Sequence, residues 1–479
     1  MKRNAKIPGS RSRFLRWAFA ALLCGVGAAS AQVVAPDFSP VVNNEVHAVL
    51  VTPDGKLLIG GEFSNVNGQT RSKVARLHAD GTLDTSFVPP LFNDAVRALA
   101  LAPDGKVLVG GEFDQVDGNS QLYVARLEED GSLDTGFSSP ITAIAGEVTA
   151  LAVQDNGDVL AGGRFRIELD ETYEYIARLK AADGGLDTGF FPQLGDEVEV
   201  IVLQPGGGIL VGGYIDPPSE ESVPPRYGIL RLTSGGSVDG TFELLVSGRV
   251  HAIALQPDGR ILIGGDFGYI DDQLHSAIAR LSANGALDGS LMDAGIRYGS
   301  VRHVIPAADG RIIVAGDWAW FPSEQAAARV AVLKANGEHD LGFNDVPTDG
   351  YADGLAMLPG GRIVVGSISN QQLPYVFAID TEDPTAMDEL EVVGTTVIWW
   401  RSGLVPALLD APLLEASIDG ATWVEVGTMT QTALGWEFTD YNPPGGAAGQ
   451  FLRVSARVGG GGIQITLAPT FVIFGDGFE

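Results

Sequence analysis

Seven polar residues recur at one spacing while their chemistry changes. His47, Arg97, Thr149, Glu199, His251, Arg302 and Asp353 each stand six residues ahead of a turn that opens Pro-Asp-Gly or a variant of it. Two imidazoles, two guanidinium groups, two carboxylates and a hydroxyl gathered in one place could bind an anionic or polar ligand, or supply a general acid and base. The plainer reading is a set of solvated groups that satisfy one another. A second set is aromatic. Tyr173 and Tyr175 end the acidic stretch Arg166–Tyr175, and Trp318-Ala319-Trp320-Phe321 places three rings within four residues. On a loop such rings could stack on a sugar or on a partner's side chain. Folded over a sheet edge they would be packing.

Other residue patterns exclude chemistry. No serine-nucleophile elbow, zinc-protease helix, phosphate-binding loop or EF-hand calcium loop occurs, and the six histidines are scattered, so spacing shows no metal cluster. Recurrence sorts what remains, because seven identical active sites in one chain are implausible. Arg76, Arg126, Arg178, Arg231 and Arg280 share one position, as do Asp84, Asp134, Asp187, Asp239, Asp288 and Asp340. They read as a structural brace. The Gly-Gly pairs at 60–61, 110–111, 162–163, 212–213 and 264–265 end strands and precede no helix, so they read as close backbone packing. The repeated Asp-Gly turns could hold Ca2+, but as ordinary two-residue turns they need no ion.

The elements that position these residues are written as repeats. VARLHADGTLDTSF from Val74 returns as VARLEEDGSLDTGF from Val124, and PDGKLLIGGEF from Pro53 returns from Pro103 and, slightly changed, from Pro257. The turn glycine falls at 55, 105, 157, 207, 259, 310 and 361, so seven units of about fifty residues fill residues 32–385. The first unit predicts four short strands, Val46–Thr52, Lys56–Phe63, Lys73–His78 and Leu83–Phe87, with Asp-Gly turns between neighbours and a variable connection at Ser64–Ser72. Helical periodicity is absent. Four antiparallel strands repeated seven times predict an all-β, seven-bladed β-propeller. The seventh unit lacks its last strand, while Ala35-Pro36-Asp37-Phe38-Ser39-Pro40 resembles that missing piece, so an N-terminal strand is expected to close the last blade. In such a ring the seven variable residues would surround the mouth of the central channel.

These phrases resemble the delta-60 repeat of secreted or surface proteins of bacteria. The resemblance covers roughly Asp37–Asp380 and implies a propeller fold and export; it implies no activity and no catalytic motif.

Residues 388–470 read as a small immunoglobulin- or fibronectin-like β-sandwich, with strands expected at Val392–Trp400, Leu413–Ile418, Thr422–Gly427, Gly435–Thr439 and Gln450–Val458. Of Trp399 and Trp400, which alternate across a strand, one is expected in the core. Residues 471–479 form a tail whose Asp-Gly-Phe-Glu end could be a sorting motif. At the other end, residues 1–31 combine a basic start, an apolar stretch and Ala29-Ser30-Ala31, the pattern of a secretory signal peptide cleaved before Gln32. Removing its six basic residues from the total of 31 leaves 25 against 60 acidic ones, a net charge of −35. That charge repels nucleic acid and anionic lipid and favours cations or basic partners. The only cysteine, Cys24, leaves with the signal, so no disulfide is expected. The mature chain should have no membrane span and be a monomer. The sequence thus points to an exported, non-catalytic binding protein that presents a propeller face to a protein or polysaccharide. A hydrolase or lyase at the channel mouth and a purely structural surface or matrix component stand as alternatives.

Overall fold

The turn phrases shape the chain first. In the computed structural model Thr52 N donates to Lys56 O and Gly55 N to Thr52 O, both at 2.9 Å, around a three-residue loop in which only Gly55 takes a positive φ, +78°. The Asp-Gly turns are therefore not two-residue turns: proline and aspartate keep negative φ and glycine alone occupies the left-handed region. This loop joins Val46–Val51 to Leu57–Gly61, which pairs on its other edge with Val74–Leu77. The structure describes residues 34–168, 172–215, 228–320, 328–343, 345–347, 351–368, 374–381, 387–393, 396–402, 405–417, 423–432, 435–439, 441, 450–457, 464–466 and 470–472. The proposed signal, residues 1–31, and most of the C-terminal tail lie outside them, as do Asp216–Pro225 and Phe321.

The described chain is all-β, and the three-strand antiparallel unit occurs seven times in succession. The expected fourth strand is corrected by the structure. Leu83 makes a single bridge to Leu77, as Leu133 does to Leu127 and Leu287 to Leu281, and only the sixth sheet adds a fourth strand, Val346–Pro347. The reason is side-chain competition. Asp84 Oδ1 accepts from Ser86 N at 3.0 Å and from its hydroxyl at 2.6 Å, which curls the segment into an Asx turn after one ladder contact. Phe87 is thereby driven fully into the core.

The N-terminal segment takes the same place on the seventh sheet. Val34 bridges Ile379, Ala35 N donates to Ala378 O at 2.8 Å, and Asp37 meets Arg362 at 3.1 Å. It is a bridge and a turn, not the extended strand expected. Phe38 is buried against the turn at Gly81, as Phe87 is against Gly131 and Phe190 against Gly236. Each sheet shares an apolar core with the next, and the seventh shares one with the first, where Phe38, Val46 and Leu57 meet Val364 and Ala378. Glycine on the middle strands allows close approach in two directions: a Cβ on Gly60 would lie 2.6 Å from Val96 Cγ1 of the next sheet, and one on Gly61 2.1 Å from Glu45 O beside its own sheet's first strand. Close backbone packing is thus what the Gly-Gly pairs do.

Beyond residue 386 two antiparallel sheets share one core containing Trp399, Leu414, Tyr441 and Leu452. The expected single strand Val392–Trp400 is instead split between two paired strands, Met387–Val393 and Thr396–Ser402. Trp399 is fully buried in that core, and the side chain of Trp400 lies outside the described residues. This part touches the seven sheets through Val405–Leu409: Ala308 N donates to Val405 O at 2.7 Å and Ala407 N to Pro306 O at 3.1 Å. No helix among the described residues is long and apolar enough to cross a membrane.

Candidate functional site at the channel mouth

The repeated charges are consumed in bracing. Arg76 Nε donates to Asp84 at 2.8 Å, its Nη1 donates to Glu129 O of the next unit at 2.8 Å, and its guanidinium lies 4.7 Å from the centre of the Phe87 ring. Arg178 and Arg231 repeat all three contacts with Asp187, Ser234 and Phe190, and with Asp239, Ala283 and Phe242. One side chain so ties an outer turn to its own sheet and to its neighbour.

The variable residues behave differently. Each lies in the first strand of its sheet, several residues ahead of the Pro-Asp-Gly turn; Thr149 and Arg302 fall within longer strands, Thr142–Val153 and Ile296–Pro306. His47, Arg97, Thr149, Glu199, His251 and Arg302 line one cavity of about 230 Å³, and Asp353 reaches it through His47 and Arg302. All seven predicted ring residues therefore come together. His47 Nδ1 lies 2.7 Å from Asp353 Oδ2, and its Nε2 lies 2.8 Å from Arg97 Nη1. Guanidinium can only donate, so Nε2 accepts and Nδ1 carries the hydrogen. Burial raises the Asp353 carboxyl, but the hydrogen bond with His47 and the nearby charges of His47, His303 and Arg302 together hold it below the usual value. Arg97 also donates to Glu112 at 2.7 Å.

Across the mouth His251 Nδ1 bonds to Glu199 Oε2, and Arg249 reaches the same carboxylate at 3.1 Å. Its Nε2 has Asp266 at 3.9 Å. Burial again works against ionisation, and the bond with His251 keeps the Glu199 carboxyl low. Thr149 donates to Val198 O at 2.8 Å. Arg302 lies 3.9 Å from Asp353, 3.7 Å from Asp317 and 5.2 Å from the Tyr351 ring, while its buried Nε has no hydrogen-bond partner among the described residues.

Spacing shows no metal cluster, yet folding brings Glu45, His47 and Glu62 close enough to share an ion. The Nε2 lone pair such an ion would need already faces Arg97, so the guanidinium fills the cationic role. The Asp-Gly turns gather no comparable group among the described residues.

Of the aromatic set, Tyr173, Tyr175 and Trp318 do not join the mouth. Tyr173 and Tyr175 lie on the strand Thr172–Leu179 and Trp318 on Ile312–Trp320, not on loops. Tyr173 is buried edge-on to Phe191, with ring centres 4.7 Å apart, and Trp318 is 1% exposed in the core between the fifth and sixth sheets. Both are packing residues and are withdrawn as binding candidates. Tyr175 is half-buried against the core shared with the fourth sheet. The side chain of Trp320 and the whole of Phe321 lie outside the described residues.

Sequence reasoning missed three small hairpins. Asn65–Val66 pairs with Gln69–Thr70, Gln115–Val116 with Asn119–Ser120, and Tyr269–Ile270 with Gln273–Leu274. Their signal was present in Asn67-Gly68 and Asp117-Gly118, the two-residue type I′ pattern. Residues 52–87, 102–137 and 256–290 match the family model described as "Domain of unknown function (DUF5122) beta-propeller". The chain carries β-propeller repeats, and the three units matched are the three that build these hairpins.

No curated protein matches the chain. Among solved structures, the extracellular domain of a B. thetaiotaomicron protein assigned as a one-component system is 10% identical with a TM-score of 0.39, covering 93% of this chain and 59% of that one. This chain therefore spans about three-fifths of that domain. A gluconolactonase from Xanthomonas campestris is 13% identical with a TM-score of 0.38, over 74% of this chain and 99% of the other. BamB from Moraxella catarrhalis is 11% identical with a TM-score of 0.34, over 74% and 99%.

Proposed function

We propose that the chain is a closed seven-bladed propeller of the delta-60 kind, followed by an immunoglobulin-like sandwich, and that it works outside the cytoplasm as a non-catalytic binding protein. One observation carries this reading. Residues that repeat are spent on bracing, whereas the residues that differ between units converge on a single cavity. A scaffold with no ligand would have no use for a ring of unlike polar groups around an open space. The three small hairpins widen the same face, and Val41, Leu91 and Tyr269 stand exposed beside them as contacts for a protein partner.

The test is retention of envelope and culture components, and binding to a glycan array, by residues 32–479 and by its Arg302→Ala and His251→Ala variants. Specific retention that both variants weaken at least tenfold supports the mouth as the ligand face. Retention unchanged by both places recognition elsewhere. A hydrolase or lyase is the second reading, favoured by His251: it lines the mouth, Glu199 bonds its Nδ1, and Asp266 lies 3.9 Å from its Nε2, the candidate base. Turnover abolished by His251→Ala would replace the binding reading with that one.

A further inference from the structure

Arg302 is the least committed of the arginines at the mouth. Arg97 donates to Glu112 at 2.7 Å and bonds His47 at 2.8 Å, and Arg249 donates to Glu199 at 3.1 Å. Arg302 lines the same cavity, yet its Nε is buried without a hydrogen-bond partner among the described residues. Its nearest carboxylates stand off, Asp317 at 3.7 Å and Asp353 at 3.9 Å. Both are engaged elsewhere: the Ser300 hydroxyl donates to Asp317 at 2.7 Å, and Asp353 bonds His47 at 2.7 Å. A planar fork of donors left in this state can take both oxygens of an incoming carboxylate.

Beyond the polar groups the same strands turn aliphatic. Two residues after each variable position stands a branched aliphatic residue, from Val49 after His47 to Leu355 after Asp353, and all seven line the cavity. The strand period of two sends both sets toward one space. Ile201, Ile253 and Val304 are buried, whereas Val49, Leu99 and Leu151 are only half-buried and so present accessible apolar surface. Leu99 and Leu151 belong to the second and third sheets, three sheets from Arg302 in either direction, which is across the ring. On their side the cavity continues into a second one of about 270 Å³, whose far end is bordered by Gln154, Asp155 and Leu409. The Asp155 carboxylate repels an anion there, so a negative ligand group belongs with Arg302.

From this juxtaposition we infer that the mouth holds a compact organic carboxylate, its two oxygens forked on Arg302 and its apolar body resting on Leu99 and Leu151. This rests on the mouth being the ligand face and names the class of ligand it accepts. A cavity of about 230 Å³ lies below the roughly 300–1,000 Å³ of drug-sized sites, which limits the body to the size of a single ring.

Calorimetric titration of the full chain with cyclohexanecarboxylate tests it. Acetate, which lacks the body, should bind at least about thirtyfold more weakly, as half-burial of the ring carbons requires. Cyclohexanecarboxamide, the same shape without the charge, should lose at least about tenfold. Glucuronate, whose ring is covered with hydroxyls, should also bind at least about tenfold more weakly than cyclohexanecarboxylate. Arg302→Ala should erase the advantage of the acid over the amide while circular dichroism stays unchanged. Should that variant misfold, the series on the unaltered protein still decides. Equal binding of acid and amide there overturns the carboxylate, and acetate or glucuronate binding as tightly as cyclohexanecarboxylate overturns the apolar body. An unchanged preference for the acid in folded Arg302→Ala overturns Arg302 as the anchor. No binding by any compound overturns the whole inference. If Arg302→Ala and His251→Ala still weaken retention of envelope components in that event, the ligand-face reading survives and only the carboxylate ligand falls.

Discussion

At the scale of single residues, the outer-turn arginines do the work of a clamp. Arg76 satisfies a buried carboxylate, a neighbouring carbonyl and an aromatic face at once. Replacing it by alanine leaves buried Asp84 with Ser86 and Lys56 but without the guanidinium, and a loss of about 1–2 kcal/mol is expected from the midpoint of urea unfolding. Arg76→Lys should recover less than half, because one ammonium group cannot span both acceptors in the fixed fork geometry. The same carboxylates set the acid limit. Burial opposes ionisation of Asp134, but Lys106, the Gly136 amide and Arg126 together hold it down at about 2 from a reference of 3.8. A depressed folded-state value means the unfolded chain takes up protons first as pH falls. Thermal midpoints should therefore hold above about pH 5 and drop steadily between about pH 4 and pH 2.

At the scale of elements, each unit stands or falls on how close its own backbone segments approach one another. Gly55 and Gly61 separate two kinds of glycine. A methyl group at Gly55 meets nothing within 4 Å and suffers only its φ of +78°, whereas at Gly61 it would strike Glu45 O at 2.1 Å. Gly55→Ala should cost about 1 kcal/mol, the ordinary penalty of a left-handed residue. Gly61→Ala should cost several times more or prevent folding, as comparison of denaturation midpoints would show. The length of the hairpin loop follows the same economy of backbone: Pro53 and Asp54 set an ordinary turn and glycine absorbs the reversal.

At the scale of the whole molecule, the seventh sheet meets the first through the N-terminal segment. Phe38 is 2% exposed between them, while Asp37 is largely solvent-facing in its pair with Arg362. Phe38→Ala should lower stability by about 3–4 kcal/mol through the cavity it leaves. Asp37→Ala should cost less than about 1 kcal/mol, since an exposed pair contributes little. Equal effects in a melting experiment would mean that the contact is electrostatic and that the aromatic is incidental. The C-terminal part has a role in this frame as well, because Leu409 completes the lower wall of the channel.

Seven near-copies of one phrase determined the all-β character, the unit length, the brace and the place of the variable ring. A repeat reports its own contacts: a residue needed in every unit recurs, and one free to serve a ligand does not. Hydrogen-bonding competition escaped that logic, so Leu83–Phe87 read as a strand although Asp84 curls it into a turn. The aromatic stretches escaped it too, since spacing does not show that Tyr173 and Trp318 face cores made by neighbouring sheets. Only the tertiary structure decided that Arg97 shares the His47 imidazole, that Glu62 lies beside it, and that a second cavity lies under the mouth. These contacts join residues from separate units, or from paired strands of one unit. Their distances are set by how the sheets lie against one another, which no spacing along the chain encodes.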